Sequence, residues 1–188
     1  MTTVDDVQLA ARRPQRADAR RNYDALIAAA HDAFAEDGAG ASLEDIARRA
    51  GVGIGTLYRN FPTRDDLIEA VYVSEVAGLT DAALDAAALP PFEALESWLD
   101  RFLVYVGTKR ALIEGLNRES TVFTQCREIM YGAGEPLLQR AQDAGEARTD
   151  VSISDVVKLV SGVSGVVADS EEQKSRLVRL TVDSIRAR

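Results

Sequence analysis

Histidine, cysteine and tryptophan each occur once in this chain of 188 residues, methionine twice, and aromatic residues make up only 6%. The lone Cys126 has no second cysteine for an internal disulfide, and with only His31 beside it there is no convincing zinc-ligand set. No stretch approaches the roughly 18 consecutive apolar residues of a membrane-spanning helix, so no membrane partner is expected. The opening residues, MTTVDDVQLAARR, are interrupted by acids and arginines and form no apolar signal segment, which gives a cytoplasmic expectation. Catalytic pairings are equally scarce. His31 and Cys126 lie far apart in sequence, and Glu114, Glu119 and Glu128 lack the Glu-x-x-His spacing of a di-metal carboxylate site. No catalytic residue, metal or cofactor is expected, and the chain does not read as an enzyme.

What is present favours helices. Hydrophobic residues reach 46%, enough for a buried interior, and Ala, Leu, Val, Arg, Glu and Asp dominate. The net charge of -8 argues at first against a nucleic-acid partner. Its distribution points the other way. From Arg12 to Arg64 there are 9 basic and 7 acidic residues, whereas 65–188 holds 13 basic and 21 acidic ones. A locally basic head on an acidic body suits phosphate binding, because only the contacting face needs positive potential.

Residues 1–15 lack periodicity and read as a basic arm. Tyr23, Leu26, Ile27, Ala30 and Phe34 then recur at helical spacing, with Gly38 as a stop. Ser42 and Asp45 have capping-box spacing at the start of a second helix carrying Leu43, Ile46, Ala47 and Ala50, closed by Gly51. A tight connection, 52–55, leads to a short helix around Thr56–Asn60, which Pro62 ends. Thr63 and Asp66 repeat the capping pattern before a long fourth helix, and Phe92–Val106 mark a fifth. A short helix is expected over 110–119, and a longer one over Thr121–Ala144, interrupted or kinked near Gly132, Gly134 and Pro136. Two further helices, Ser154–Val167 and Glu171–Ala187, complete an all-α chain of about nine. The expected division is an arm (1–15), a three-helix head (16–62) and a body (63–188).

Two short helices joined at a glycine, wedged by Ile46, Ala47, Ala50, Val52 and Leu57, are the physical core of a helix-turn-helix. The stretch from Ser42 to Leu67, with Gly51-Val52, Gly55-Thr56-Leu57-Tyr58, Phe61 and Arg64-Asp65-Asp66-Leu67, closely resembles the signature of the tetracycline-repressor (TetR) family. With the preceding helix the resemblance covers roughly 16–72. It implies a sequence-specific DNA-binding regulator, a repressor released from a palindromic operator on double-stranded DNA by a small-molecule effector. It also implies DNA-facing roles for Arg16, Ser42, Gly53, Ile54, Gly55, Thr56, Tyr58, Arg59, Asn60 and Arg64. Thr56 and Tyr58 match positions whose hydroxyls meet phosphates, Arg64 one that commonly holds a lysine reaching the backbone, and Asn60 has the two-point edge that pairs with adenine. Arg12 and Arg13 extend the same surface. Gly53 and Gly55 strip the start of the recognition helix of side chains, and Glu44 replaces a basic residue found in some members.

One such module binds weakly, and pairing across a dyad sets two half-sites about 34–36 Å apart, so a homodimer is expected. Its interface is assigned to Val156, Val160, Val163 and Val167 with Leu177, Leu180 and Ile185, forming a four-helix bundle with the partner's copies. Trp98, Phe102, Tyr105, Asn117, Phe123, Cys126 and Tyr131 are assigned to the pocket for an unknown, largely apolar effector. The alternative is a DNA-binding regulator without such a ligand, controlled by a protein partner or by its abundance.

Overall fold

The computed structural model describes residues 13, 14, 16–112 and 120–187. Among these there are eight α-helices: α1 (Ala17–Asp37), α2 (Leu43–Arg49), α3 (Ile54–Asn60), α4 (Arg64–Asp85), α5 (Pro91–Leu112), α6 (Thr121–Asp143), α7 (Ile153–Ser164) and α8 (Glu171–Asp183). The helix expected over 110–119 falls largely outside the described residues, and 110–112 continue α5 instead. The described residues form two compact units. One runs to Ala77 and includes Gly107–Ile129; the other comprises Gly78–Val106 and Met130 onward.

The first unit is built on α1, whose stripe Leu26, Ala30 and Phe34 is fully buried. Against it sit Ile46 and Ala47 of α2, Leu57 of α3 and Leu67, Ile68, Val71 and Tyr72 of α4, all buried. The Tyr23 ring lies 5.0 Å from that of Phe61, the residue ending α3. Each fully buried side chain of this size contributes about 1.5–3 kcal/mol, so a seven-residue helix such as α3 is held by its root, Leu57, rather than by propensity.

Turn chemistry sets the angle between α2 and α3. The Gly51 N–H donates to Arg48 O (3.1 Å) and the Val52 N–H to Ala47 O (3.0 Å), a Schellman closure with Gly51 at φ 68°. Only glycine occupies that region without strain. Gly51→Ala is expected to lower stability by about 1–2 kcal/mol, read as a drop in denaturation midpoint at unchanged m-value. At α4 the capping box forms in full: the Thr63 N–H donates to Asp66 (3.0 Å) and the Asp66 N–H to Thr63 Oγ1 (3.1 Å). At α2 only half of it forms. Ser42 Oγ accepts from the Asp45 N–H (3.2 Å), but the Asp45 carboxylate is drawn away by Arg48 and Arg49.

The second unit centres on Trp98, fully buried and stacked on Phe102 with ring centroids 5.7 Å apart. Its indole N–H donates to Leu79 O at 3.1 Å. Helix α6 runs unbroken through Gly132, Gly134 and Pro136. Gly134 is a packing requirement there: a Cβ on it would lie 2.5 Å from the Trp98 ring. Val156, Val157 and Val160 of α7 bury their side chains in the same unit, as does Ile185 beyond α8. Helix α7 opens with a complete capping box between Ser152 and Asp155. After α8 the chain pairs briefly with 146–148, the Arg148 N–H donating to Ile185 O and the Ala187 N–H to Glu146 O, both at 2.9 Å.

Candidate nucleic-acid interface

With 3.6 residues per turn, Leu57 points α3 inward and Gly55 and Arg59 occupy the opposite face. Ile54 and Tyr58, one turn apart, flank that face on one side, and Thr56 and Asn60 flank it on the other. Burial agrees. Leu57 is fully enclosed, whereas Ile54 is 36% and Tyr58 47% exposed, both large side chains left in solvent. Gly53 caps the helix at φ -75°, ψ 150°, a conformation any residue adopts, and a Cβ at Gly53 or Gly55 would meet nothing within 4 Å. Nothing inside the protein demands these two glycines. What they leave is a bare, approachable end on an otherwise side-chain-bearing rod.

The polar side chains around this face differ in what they already hold. Arg59 Nη2 donates to Thr56 Oγ1 (2.8 Å), and the Asn60 amide donates to Thr56 O (2.8 Å), which fixes Asn60 against its own helix. Arg64 Nη1 donates to Ala39 O (3.0 Å) and Ala41 O (2.5 Å), so this arginine clamps the turn between α1 and α2. Ser42 is spent largely on the α2 cap, its hydroxyl donating to Glu44 as well (3.1 Å). Arg16 is exposed at the start of α1. Arg13 forms a two-point ion pair with Asp24 at 3.0 and 2.7 Å, while Arg12 lies outside the described residues.

A clamp with no local sequence signature joins α1 to α2. Arg49 donates to Glu36 (2.8 Å) and to Asp45 (2.6 Å), and Arg48 also pairs with Asp45. These hydrogen bonds hold both carboxyls below their ordinary range. Its only trace in the sequence is charged residues on two helices, Glu36 and Arg49 being 13 positions apart, which the turn geometry alone brings together. Residues of α1 and α4 also line a cavity of about 560 Å³, among them Tyr23, Ile27, His31, Val71, Ser74 and Glu75. His31 Nε2 there lies 3.2 Å from Thr108 Oγ1 and 3.4 Å from Glu75 Oε1.

This geometry has counterparts among known proteins. Residues 26–71 match the family model for bacterial regulatory proteins of the tetR family, and residues 90–187 match the model for the C-terminal domain of SbtR-like transcriptional regulators. A TetR transcriptional regulator from Streptomyces coelicolor is 40% identical, with a TM-score of 0.76 over 87% of this chain and 98% of its own. The chain belongs to the TetR family of transcriptional regulators. A second TetR regulator, from Mycobacterium vanbaalenii, is 32% identical with a TM-score of 0.73, over 93% of this chain and 100% of its own. The chain is therefore an all-helical DNA-binding regulator of the TetR type, with the helix-turn-helix in α2 and α3. Among its described residues no helix is long and apolar enough to cross a membrane.

The TetR body places the remaining expected residues as follows. Trp98, Phe102 and Tyr105 form a buried aromatic run on α5, with Phe102 and Tyr105 centroids 5.6 Å apart, and Tyr131 is half-buried on α6 in the same unit. Phe123 and Cys126 belong to the other unit, where Phe123 stacks on Tyr72 at 5.4 Å with the Lys109 ammonium 4.9 Å over its ring. Asn117 lies outside the described residues. Burial, reinforced by the Glu69 charge, pushes the Cys126 thiol up to about 12. Cys126 is accordingly expected to resist a disulfide reagent at pH 8 in the folded protein and to react rapidly in denaturant; a fast native reaction would contradict its burial.

Of the residues assigned to the dimer face, Val156, Val160 and Ile185 are sealed inside their own unit, at 1%, 0% and 2% exposure. They are corrected to core, because α7 turns its one apolar stripe, Ile153, Val156, Val157 and Val160, inward and leaves Asp155 and Lys158 in solvent. Val163 and Leu177 are half-buried. The outward set is Leu159, Val166, Val167 and Leu180, of which Val167 is 98% and Leu180 59% exposed.

Proposed function

We propose that this protein is a homodimeric repressor that holds a palindromic operator through two copies of α3 and is released by a small, largely apolar effector. The observation that carries the DNA reading is the outward face of α3, rooted by Leu57 and leaving Ile54, Tyr58 and Arg59 in solvent around a bare Gly55. Tyr58 and Thr56 supply hydroxyls for phosphates, Arg59 a cation, and Gly53 and Gly55 the close approach. Arg64, Asn60 and Ser42 act chiefly by positioning, since each is bonded within the head. Arg16 extends the contact toward the flanking backbone.

Dimerisation is supported by the four apolar side chains that α7, the segment after it and α8 leave in solvent, joined by half-buried Val163 and Leu177. Effector release is supported by its being typical of the family. The effector acts to the extent that it binds the DNA-incompetent state more tightly than the competent one. Trp98, Phe102, Tyr105 and Tyr131 are the aromatic side chains nominated to meet it in the second unit.

Selection of operator sequences from a random duplex library by the full-length protein, with mass measured by light scattering, tests this reading. A palindromic consensus bound by a particle of twice the monomer mass is expected. Val167→Asp together with Leu180→Asp should return the mass to that of the monomer and weaken operator binding at least tenfold. A tight-binding monomer would contradict the dimer assignment. A thermal-shift screen of apolar compounds that finds no stabilising ligand would favour control by a protein partner or by abundance.

A further inference from the structure

We infer that Ile54 reads the 5-methyl group of one thymine in each operator half-site, a contact that rests on the DNA reading proposed above. Among the outward residues of α3, Ile54 alone offers only hydrocarbon. It is 36% exposed, one turn from Tyr58, and lies between two glycines above which the space is open. No neighbouring Cβ therefore keeps it from the floor of the groove. The hydrogen-bonding side chains on the same helix are partly committed: the Asn60 amide to Thr56 O and one Arg59 nitrogen to the Thr56 hydroxyl. An isoleucine gains from burial only against an apolar surface. Of the groups that base edges present in the major groove, the thymine methyl alone is apolar; the rest are donors and acceptors that an isoleucine would desolvate without replacing. Ile54 and the thymine methyl are thus matched by chemistry, and the pairing calls for no hydrogen bond from the helix backbone.

Replacing thymine by deoxyuridine removes that methyl and nothing else. Operator duplexes from the selection are to be made with each thymine changed in turn, at symmetric positions in both half-sites. One position is expected to lower affinity for the wild-type protein about three- to tenfold per half-site, the range for losing one buried methyl in a packed contact. Ile54→Ala is expected to weaken binding to the thymine operator and to make the thymine and deoxyuridine duplexes indistinguishable. Ile54→Val should retain part of the preference. Ile54 is 36% exposed, so its truncation should cost little stability and leave the head folded, which circular dichroism checks. If no deoxyuridine substitution changes wild-type affinity, or if the discrimination persists in full in Ile54→Ala, the inference is overturned while the DNA reading stands. If no duplex is enriched at all, the DNA reading falls first and takes this contact with it.

Discussion

Gly55→Leu is expected to leave the head folded and to weaken operator binding at least about thirtyfold. A Cβ at position 55 would meet nothing within 4 Å, and the position is exposed on the face opposite Leu57, so a longer side chain has solvent to enter. Leucine is also the better helix former by somewhat under 1 kcal/mol, so the melting temperature should hold or rise slightly. On DNA the outcome differs. Gly55 lies at the centre of the face opposite Leu57, and an isobutyl group there holds the helix off the base edges. If each half-site loses about 1–3 kcal/mol of base contact, a symmetric dimer loses at least about thirtyfold in affinity. The two effects together, unchanged stability with weakened binding, are what an interface residue gives and a core residue does not. Gly51→Ala, four positions earlier, should show the opposite pattern, because its glycine is required by the backbone rather than by DNA.

The largest stability effect is expected at Trp98. Truncation to alanine removes a fully buried indole, its stacking on Phe102 and its hydrogen bond to Leu79 O, leaving that carbonyl without its indole donor. Substitutions of this kind cost about 3–5 kcal/mol, a large share of the roughly 5–15 kcal/mol that keeps a typical domain folded. Equilibrium denaturation followed by far-ultraviolet circular dichroism reads the shift, since the chain's only tryptophan is lost as a fluorophore. Gly134→Ala attacks the same contact from the other side. The added methyl would stand 2.5 Å from the ring, and overpacking of about 1–3 kcal/mol outweighs or offsets the roughly 1 kcal/mol gained in helix propensity.

The head is largely legible in the sequence. Its turn and cap signals at Ser42, Gly51, Pro62 and Thr63 are local, each fixing the backbone within three or four residues, and they place α2 and α4 almost to the residue. Spacing alone starts α3 two residues late, because Gly53-Ile54-Gly55 has poor intrinsic helicity and the helix is held by burial of Leu57, a tertiary effect. Side-chain commitments are not legible. Arg64 reads from its position as a phosphate contact, yet it is spent on the carbonyls of Ala39 and Ala41, 25 and 23 positions back. Asn60 is likewise turned onto its own helix.

The body shows where periodicity stops informing. Helix α7 carries one apolar stripe, Ile153, Val156, Val157 and Val160, opposite exposed Asp155 and Lys158, and spacing alone does not say whether that stripe faces its own core or a partner. Packing resolves it: Val156 and Val160 go inward, and Leu159 stays out with Val166 and Val167 beyond the helix end. The glycines of α6 invite the expectation of a break. Gly134 is instead the hollow that receives Trp98, a reason visible only once α5 and α6 are side by side.

Equilibrium binding of the full-length protein to its selected operator and to a scrambled duplex, over a series of salt concentrations, tests most directly that α3 is the reading head. Affinity for both duplexes should fall steeply and linearly on logarithmic axes, as released counterions require. The operator should retain an advantage of about a thousandfold or more, which Gly55→Leu cuts at least about thirtyfold. Equal affinity for the two duplexes at every salt concentration, or an operator preference that Gly55→Leu leaves undiminished, would contradict it.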